Sequence, residues 1–381
     1  MAKRIGIITF HAPYNYGSSL QNYALQHVLR DLGFIPETIN LRTARQKELY
    51  DSFRPLSKLK DKKRFILNVL YTPYRASLKT KAAKYEQFIS SELCISKEVA
   101  NESEIKQIAG YDGYIVGSDQ CWNIYAKDFD WSYYMDFVPQ GKPKISYAIS
   151  MGPSPDGILQ ASNTDKEHIK NALNSYTAIS TRDERTCNVV KKIAGENVDV
   201  CINVDPTLLL SGSQWEERID KEPIVKGKYI FLYNPYYLPM VYDTAKKLSK
   251  ITGLKVVVSN INPKSMISSI GFEKHLDAGP WEFLNLVKNA EYVVGRSFHL
   301  LVFSILLEKK FIAVEGMGDS RLNNLLSLTG LQKYATVNGN IEDVLANHSY
   351  LENDYKVALD RIHIAYDAAR QYLLNNLESQ V

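Results

Sequence analysis

The sequence predicts an α/β protein built of two domains, each a doubly wound parallel sheet, with a long helix at the C-terminus. Three observations carry that expectation. Short β-branched runs end again and again in small or polar residues and lead into stretches with helical spacing, the alternation of a parallel sheet covered on both faces. The alternation lapses in the polar, Lys/Glu-rich residues 211–227 and restarts at Tyr229. A length of 381 residues accommodates two such units at roughly one domain per 150 residues. The halves echo each other in architecture only, since no short-period repeat is visible.

Ile5-Gly6-Ile7-Ile8-Thr9-Phe10 opens the first domain as a strand of the kind buried in a parallel sheet. A turn-rich segment, 13–19, precedes a helix with Leu20, Tyr23, Ala24, Leu25, Val28 and Leu29 at helical spacing; Gly33 ends it and Ile35 to Leu41 is the next strand. Tyr114-Ile115-Val116, Lys144 to Ile149, Ala178-Ile179-Ser180 and Ile202-Asn203-Val204 follow as strands, with helices at 165–174 and 185–193. In the second domain Tyr229 to Tyr233, Lys255 to Ser259, Ala290 to Val294 and Phe311 to Val314 are strands. Helices are expected at 240–251, from Pro280, at 298–307 and at 355–377. The domain limits read from this pattern are 1–212, with a basic helical insertion at about 54–90, then 225–350, then a terminal helix over 351–381.

Composition narrows the function. Hydrophobic residues are 45% and charged residues 23%, which sets aside disordered and fibrous classes. Forty-six Lys and Arg against forty-two Asp and Glu leave 46 − 42 = +4, too small an excess to argue for nucleic-acid binding. Cys94, Cys121, Cys187 and Cys201 form no CxxC pair, so neither a disulfide framework nor a cysteine zinc site is expected, and a reducing compartment fits. The apolar run at residues 5–10 is too short for a signal-peptide core, and Leu300 to Leu307 falls short of the roughly 20 residues a membrane span needs. A soluble, cytoplasmic protein is expected. No Walker A string, no GxGxxG after the first strand and no HExxH or carboxylate-rich loop is present, so no metal and no organic cofactor is expected.

In doubly wound sheets, ligands gather beyond the carboxyl ends of the strands, and four polar tips stand out there. The first is Val294-Gly295-Arg296-Ser297-Phe298-His299, where a strand turns into a helix. Free amides and the positive dipole end would face an anion; Arg296 adds a planar fork, Ser297 a cap or phosphate ligand, and His299 a group able to carry a proton at neutral pH. The structural alternative is that Ser297 only caps the helix and His299 is a core residue. The second is Thr181-Arg182-Asp183-Glu184, whose Arg182 either binds an anion or pairs with Asp183. The third, Gly117-Ser118-Asp119-Gln120-Cys121-Trp122-Asn123, mixes small, acid, amide and indole groups suited to a polyol, against the alternative of a buried capping Asp119. The fourth is Asn15-Tyr16-Gly17 with Gln21: Asn15 and Gly17 can form a tight turn that leaves amides for a ligand. Residues 54–84 carry ten cations against the single acid Asp61, either a solvated face or a patch for a diphosphate headgroup or an acidic membrane.

Taken together these strings resemble the polysaccharide pyruvyl transferase family. The resemblance runs through Asn15-Tyr16-Gly17, Leu20-Gln21 and Tyr23-Ala24-Leu25-Gln26, then Val116-Gly117-Ser118-Asp119-Gln120 with Trp122-Asn123. It continues through Tyr147-Ala148 with Gly152, Asp205-Pro206-Thr207-Leu208, and Asn289-Ala290-Glu291-Tyr292-Val293-Val294 before Ser297-Phe298-His299, covering about residues 5–315. It implies two Rossmann-like domains facing across a cleft, in the manner of GT-B-type glycosyltransferases. It also implies transfer of the enolpyruvyl unit of phosphoenolpyruvate to two hydroxyls of a sugar as a cyclic ketal, with release of phosphate.

On that reading His299 is the acid that protonates the donor, and Arg182, Arg296 and Ser297 bind it. Asp119 activates or orients the acceptor hydroxyl, while Asn15, Tyr16, Gly17, Gln21, Ser118, Gln120 and Trp122 hold the acceptor. The first domain is then the acceptor side and the second the donor side. A polyprenyl-diphosphate-linked acceptor would give the basic 54–84 segment a role at the inner face of the cell membrane. Two alternatives stay open at this point: a GT-B-type glycosyltransferase using a nucleotide sugar, and a non-catalytic binding protein that keeps the fold.

Overall fold

The computed structural model describes residues 2–50, 62–108, 110–315 and 318–378, and of residues 62–64 the backbone alone. The chain divides into two compact units, Met1–Tyr50 with Ile89–Leu210 and Arg361–Val381, and Asp51–Phe88 with Ser211–Asp360.

The first unit holds a six-stranded sheet of β1 (Arg4–Ile8), β2 (Ile35–Thr38), β3 (Gly113–Asp119), β4 (Lys144–Ile149), β5 (Ile179–Thr181) and β6 (Val200–Ile202). The order is β2-β1-β3-β4-β5-β6 and every pairing is parallel. β3 and β4 are buried throughout, as the near-continuous apolar runs of a sheet covered on both faces require. Ile8, Val116, Trp122, Ile149 and Ile179 meet in one core cluster. β2 ends at Thr38, short of the expected Leu41; Pro36 lies within it, which an edge strand tolerates. β6 lies two residues earlier than expected, because Pro206 and the Asp205 cap turn the chain into a short 3₁₀ helix.

The second unit repeats the plan with β7 (Tyr229–Tyr233), β8 (Lys255–Val258), β9 (Glu273–Lys274), β10 (Tyr292–Gly295), β11 (Lys310–Val314) and β12 (Ala335–Thr336), ordered β12-β11-β10-β7-β8-β9 and again parallel. Two-residue strands such as β9 and β12 leave no periodicity in a sequence, and neither was expected.

The insertion departs from the expected domain limits. Its described part forms helices Lys62–Tyr71 and Arg75–Glu92 and packs with the second unit, although it precedes most of the first in sequence. The anchors are Lys84 on Glu282 at 2.7 Å, Phe88 against Trp281 with ring centroids 5.2 Å apart, and Lys81 Nζ donating to the Ser259 carbonyl at 3.2 Å. The terminal helix, Leu351–Glu378, is shared. Tyr355 donates to the Ser304 carbonyl at 3.3 Å in the second unit, whereas Tyr372 donates to the Ser146 carbonyl at 2.8 Å in the first.

Candidate functional site

In the first sheet the chain runs outward from β1 to β2 and then crosses to the other side of β1 at β3. A crevice opens at such a reversal, beyond the carboxyl ends of β1 and β3. Thr9 follows β1, Ser118 and Asp119 end β3, and the helix Tyr16–Asp31 begins beside them. Gln21 ties the three together: its amide donates to Thr9 Oγ1 and to the Ser18 carbonyl, both at 3.0 Å, and its carbonyl accepts from the Ser118 amide at 3.1 Å. Thr9 Oγ1 donates to the Ser118 carbonyl at 3.0 Å, and Ser18 Oγ donates to Asp119 Oδ2 at 2.6 Å.

The backbone here is built for close approach. Gly117 has φ +117°, and a Cβ there would lie 2.3 Å from the Tyr147 carbonyl. Asp119 sits at φ +71°, a left-handed conformation that Asp tolerates better than most residues. The turn aims its carboxylate at Ser18 and at the Gln120 amide, 2.8 Å from Oδ1.

Behind Asp119 lies a buried charge cluster. Arg182, after β5, donates to Asp205 Oδ2 at 2.6 Å and stands 4.0 Å from Asp119 Oδ1. Asp205 also accepts from the Thr207 amide and hydroxyl and from Ser118 Oγ at 3.2 Å. One guanidinium between two carboxylates leaves +1 − 2 = −1 on these three groups. Asp119 is their outlet, with 10% of its side chain exposed, while the Asp205 side chain is fully enclosed. A carboxylate has about four lone-pair sites, so two bonds from Ser18 and Gln120 leave Asp119 able to accept a substrate hydroxyl.

Several expected ligands are committed elsewhere. Asn15 caps the helix: its Oδ1 accepts from the Gly17 amide at 2.9 Å and the Ser18 amide at 3.5 Å, so those amides are not left for a ligand, and Gly17 lies in the helix rather than in a tight turn. Tyr16 is buried. Trp122 is a core residue: its ring is fully enclosed and stacks on Tyr134 at an interplanar angle of 4°, and its N–H donates to the Tyr133 carbonyl. Arg182 shares the first unit with Asp119 and not the second with Arg296 and His299. Gln120 is partly exposed and holds Asn123 at 3.3 Å; Gly152, at φ +88°, leaves that pair its room, since a Cβ there would come 2.7 Å from the Asn123 amide nitrogen. Ser18, Thr9 and Asp205 had been given no role from sequence.

The second sheet reverses between β7 and β10. Gly295 ends β10 where a Cβ would lie 2.3 Å from the Tyr233 carbonyl and 2.5 Å from Leu300, so glycine lets the strand turn directly into helix Phe298–Leu306. Ser297 is the cap residue by position, yet its hydroxyl makes no capping bond. The first turn of this helix is therefore left without a side-chain cap, and such a helix start favours an anion. Arg296 donates to Glu315 at 3.1 Å and keeps 32% of its side chain exposed. His299, partly exposed on the first turn, packs edge-on to Phe298 at 5.1 Å.

Of the basic 54–84 segment, residues 54–61 and the side chains of 62–64 lie outside the described residues. No helix among the described residues is long and apolar enough to cross a membrane, and none of their His, Cys, Asp and Glu side chains form a group of three or more able to hold a metal ion.

The profile of the family described as polysaccharide pyruvyl transferase matches residues 15–316, most of the chain and both strand-end constellations. No curated protein matches the sequence. Among solved structures the chain is similar to a putative UDP-N-acetylglucosamine 2-epimerase from Listeria monocytogenes, with TM-score 0.57 and 8% identity over 100% of this chain and 98% of that one. It is also similar to the UDP-GlcNAc 2-epimerase of Neisseria meningitidis bound to UDP-GlcNAc, with TM-score 0.55 and 10% identity over 98% and 100% of the two chains. An alpha-glucosyltransferase in complex with UDP gives 0.51 and 9% over 100% and 96%. At such identities the likeness concerns the fold, which is of the GT-B type.

Proposed function

Since this chain belongs to the polysaccharide pyruvyl transferase family, we propose that it transfers the pyruvyl group of phosphoenolpyruvate to a sugar diol as a cyclic ketal. The observation that most supports the donor half is Ser297, a cap residue whose hydroxyl is free of its helix, beside Arg296 and His299. A small dianion with a carboxylate and a phosphate suits that anion-ready strand end. The acceptor half draws its support from Asp119, which holds the outlet of a net negative cluster next to Gln120.

In the reaction we propose, His299 protonates the methylene carbon of the enol, and the adjacent carbon becomes electrophilic. A sugar hydroxyl adds to that carbon as Asp119 accepts its proton. The second hydroxyl then displaces phosphate, which leaves with the remaining proton, and the ketal closes. A positioned acid typically contributes about 10²–10⁴-fold to such a step. Arg182 enters as the buried cation that holds Asp119 and Asp205, and Gln21 as the clamp that positions Ser118; neither touches substrate. No metal or organic cofactor is part of the scheme. We further assign to residues 54–84 a docking role on anionic lipid, where a polyprenyl-diphosphate-linked acceptor would be presented at the cytoplasmic face.

Phosphate release from phosphoenolpyruvate, measured against a panel of lipid-linked and nucleotide-linked sugars, tests this. One or more diol acceptors should stimulate release, and His299→Ala should lower it by at least about 10²-fold. A second reading, a nucleotide-sugar glycosyltransferase, draws on the neighbours that carry UDP or UDP-GlcNAc. Saturable binding of a sugar nucleotide, with none of phosphoenolpyruvate, would replace the first reading with the second.

A further inference from the structure

One backbone N–H fixes the polarity of two side-chain amides beside Asp119. Asn123 turns its Oδ1 to the Tyr125 N–H at 3.2 Å. That N–H only donates, so the atom facing it is the carbonyl oxygen, and Nδ2 is the other end of the amide. Nδ2 in turn donates to Gln120 Oε1 at 3.3 Å. An NH2 group only donates, so Gln120 meets it with oxygen and its own nitrogen points the other way. Tyr125, Asn123 and Gln120 thus form a relay whose free end is Gln120 Nε2. Gln120 is partly exposed, and no group of the described residues takes that nitrogen.

The relay is seated against the end of β4. Ser150, the first residue after β4, donates its N–H to the Asp119 carbonyl at 2.9 Å, and its carbonyl accepts from the Trp122 N–H at 3.3 Å. This clamp carries Gly152 to the two amides, where a Cβ would come 2.7 Å from Asn123 Nδ2 and 3.2 Å from Gln120 Oε1. The carbonyl end of Gln120 is therefore the enclosed end. Gln120 is tied to Asp119 as well, its backbone N–H donating to Asp119 Oδ1 at 2.8 Å.

We infer that Asn123 is a positioning residue of the acceptor site, locking the Gln120 carboxamide with its nitrogen outward as the hydrogen-bond donor next to the carboxylate of Asp119. The inference rests on the acceptor reading above and names what each group takes from a sugar diol. One hydroxyl gives its proton to Asp119. The oxygen of the other accepts from Gln120 Nε2 and keeps its own proton for the second step. With an acceptor and a donor at consecutive positions, the two hydroxyls are told apart before the chemistry begins.

The test sets Asn123→Asp against Asn123→Ala, reading phosphate release from phosphoenolpyruvate with the sugar that stimulates it most. Aspartate keeps the bond from the Tyr125 N–H but has no donor, so the Gln120 amide turns over and presents oxygen outward. Alanine loses the Tyr125 bond and leaves the Gln120 amide free in either orientation. Asn123→Asp should therefore raise the acceptor KM about tenfold and Asn123→Ala about threefold, with kcat and the phosphoenolpyruvate KM little changed. A merely structural Asn123 gives the reverse order, with the alanine variant the more impaired and the less stable. In a Gln120→Met background Asn123→Asp should add nothing to the acceptor KM; an undiminished effect there overturns the inference. Nuclear magnetic resonance supplies a readout independent of turnover. The Gln120 side-chain amide protons, assigned by their loss in Gln120→Met, should move downfield in Asn123→Asp as they bond the new carboxylate; unmoved signals overturn the lock. If Asn123→Asp does not fold, the Asn123→Ala effect decides: it should vanish in Gln120→Met, and its persistence overturns the inference. No stimulation of the wild type by any sugar removes the pyruvyl reading and the hydroxyl assignment with it, while the spectra still judge the lock.

Discussion

Ser18 Oγ donates to Asp119 Oδ2 at 2.6 Å, joining the first turn of helix Tyr16–Asp31 to the end of β3 across 101 positions of sequence. Hydrogen bonds to a charged group contribute about 1.5–3 kcal/mol. Together with the left-handed turn at residue 119, this one aims the carboxylate. Ser18→Ala should therefore lower phosphate release about tenfold or more, each 1.36 kcal/mol being tenfold in rate. Ser18→Thr should restore most of it. Ser18→Ala should also lower the unfolding temperature by a few degrees, since the bond is buried, while phosphoenolpyruvate affinity should barely move in either variant. Full activity in Ser18→Ala would leave Asp119 without a role in acceptor activation.

Arg182 separates a structural cation from a donor ligand. Its side chain is 2% exposed and bonded to Asp205, which is itself fully buried. Removing one partner of such a pair costs about 3–5 kcal/mol, because the other charge stays buried and uncompensated. Arg182→Ala should accordingly lower the melting temperature by about 10 °C. Arg182→Ala with Asp205→Asn should recover part of that loss, since the stranded charge goes with its partner. If instead Arg182→Lys keeps wild-type stability while phosphoenolpyruvate affinity falls tenfold, Arg182 is a donor ligand after all.

Strand ends were legible in the sequence because chain order carries them: an apolar run, a glycine, then polar residues, as in Val116-Gly117-Ser118-Asp119 and Val294-Gly295-Arg296-Ser297. What a side chain does at such an end was not, because its partners are distant in sequence. Gln21 reads as a polar ligand until Thr9, Ser18 and Ser118 are seen to engage its amide. Trp122 has the chemistry of a sugar platform, but its indole is spent on Tyr134 and the Tyr133 carbonyl. Thr9 and Asp205 looked like the tail of a strand and the start of a turn; both hold β3 in place. Sequence order also put residues 54–84 with the first domain, and contacts such as Lys84–Glu282, Phe88–Trp281 and Lys81 with the Ser259 carbonyl return the described part to the second.

Lys144, at the start of β4, supplies a pH-dependent stability. Its ammonium lies over the Tyr176 ring at 4.4 Å, donates to Ser175 Oγ at 2.8 Å and is 3.9 Å from Asp136, yet burial still lowers its pKa to about 8. Between that value and the unfolded value of about 10.4 the unfolded chain holds a proton that the folded one has lost. Stability therefore rises with pH through this window, and the gain is lost as pH falls to about 8. Lys144→Met removes the group from both states. Urea unfolding at pH 7.5, 9 and 10 should show the stability of wild type, relative to this variant, climbing with pH; a constant difference would show that Lys144 titrates alike in both states.

Helix Lys62–Tyr71 leaves Phe65, Ile66, Val69 and Leu70 between 39% and 56% exposed. Positions 65, 66, 69 and 70 share a face at 3.6 residues per turn, so this is a stripe rather than a scatter of apolar side chains. Ten cations against one acid lie within residues 54–84, among them the exposed Lys79. An apolar stripe in a segment whose sequence is this rich in cations suits the boundary of an anionic bilayer, where each lysine or arginine near the surface contributes about 1 kcal/mol and the apolar face adds burial. Flotation with vesicles containing phosphatidylglycerol should retain the wild-type protein, and neutral vesicles should not. Phe65→Ser with Ile66→Ser should release it, as should charge reversal at Lys60, Lys62 and Lys63, without change in phosphate release from phosphoenolpyruvate when the acceptor is water-soluble. Retention that survives both variants would remove this helix as the membrane contact. Equal retention on neutral vesicles would mean that charge plays no part.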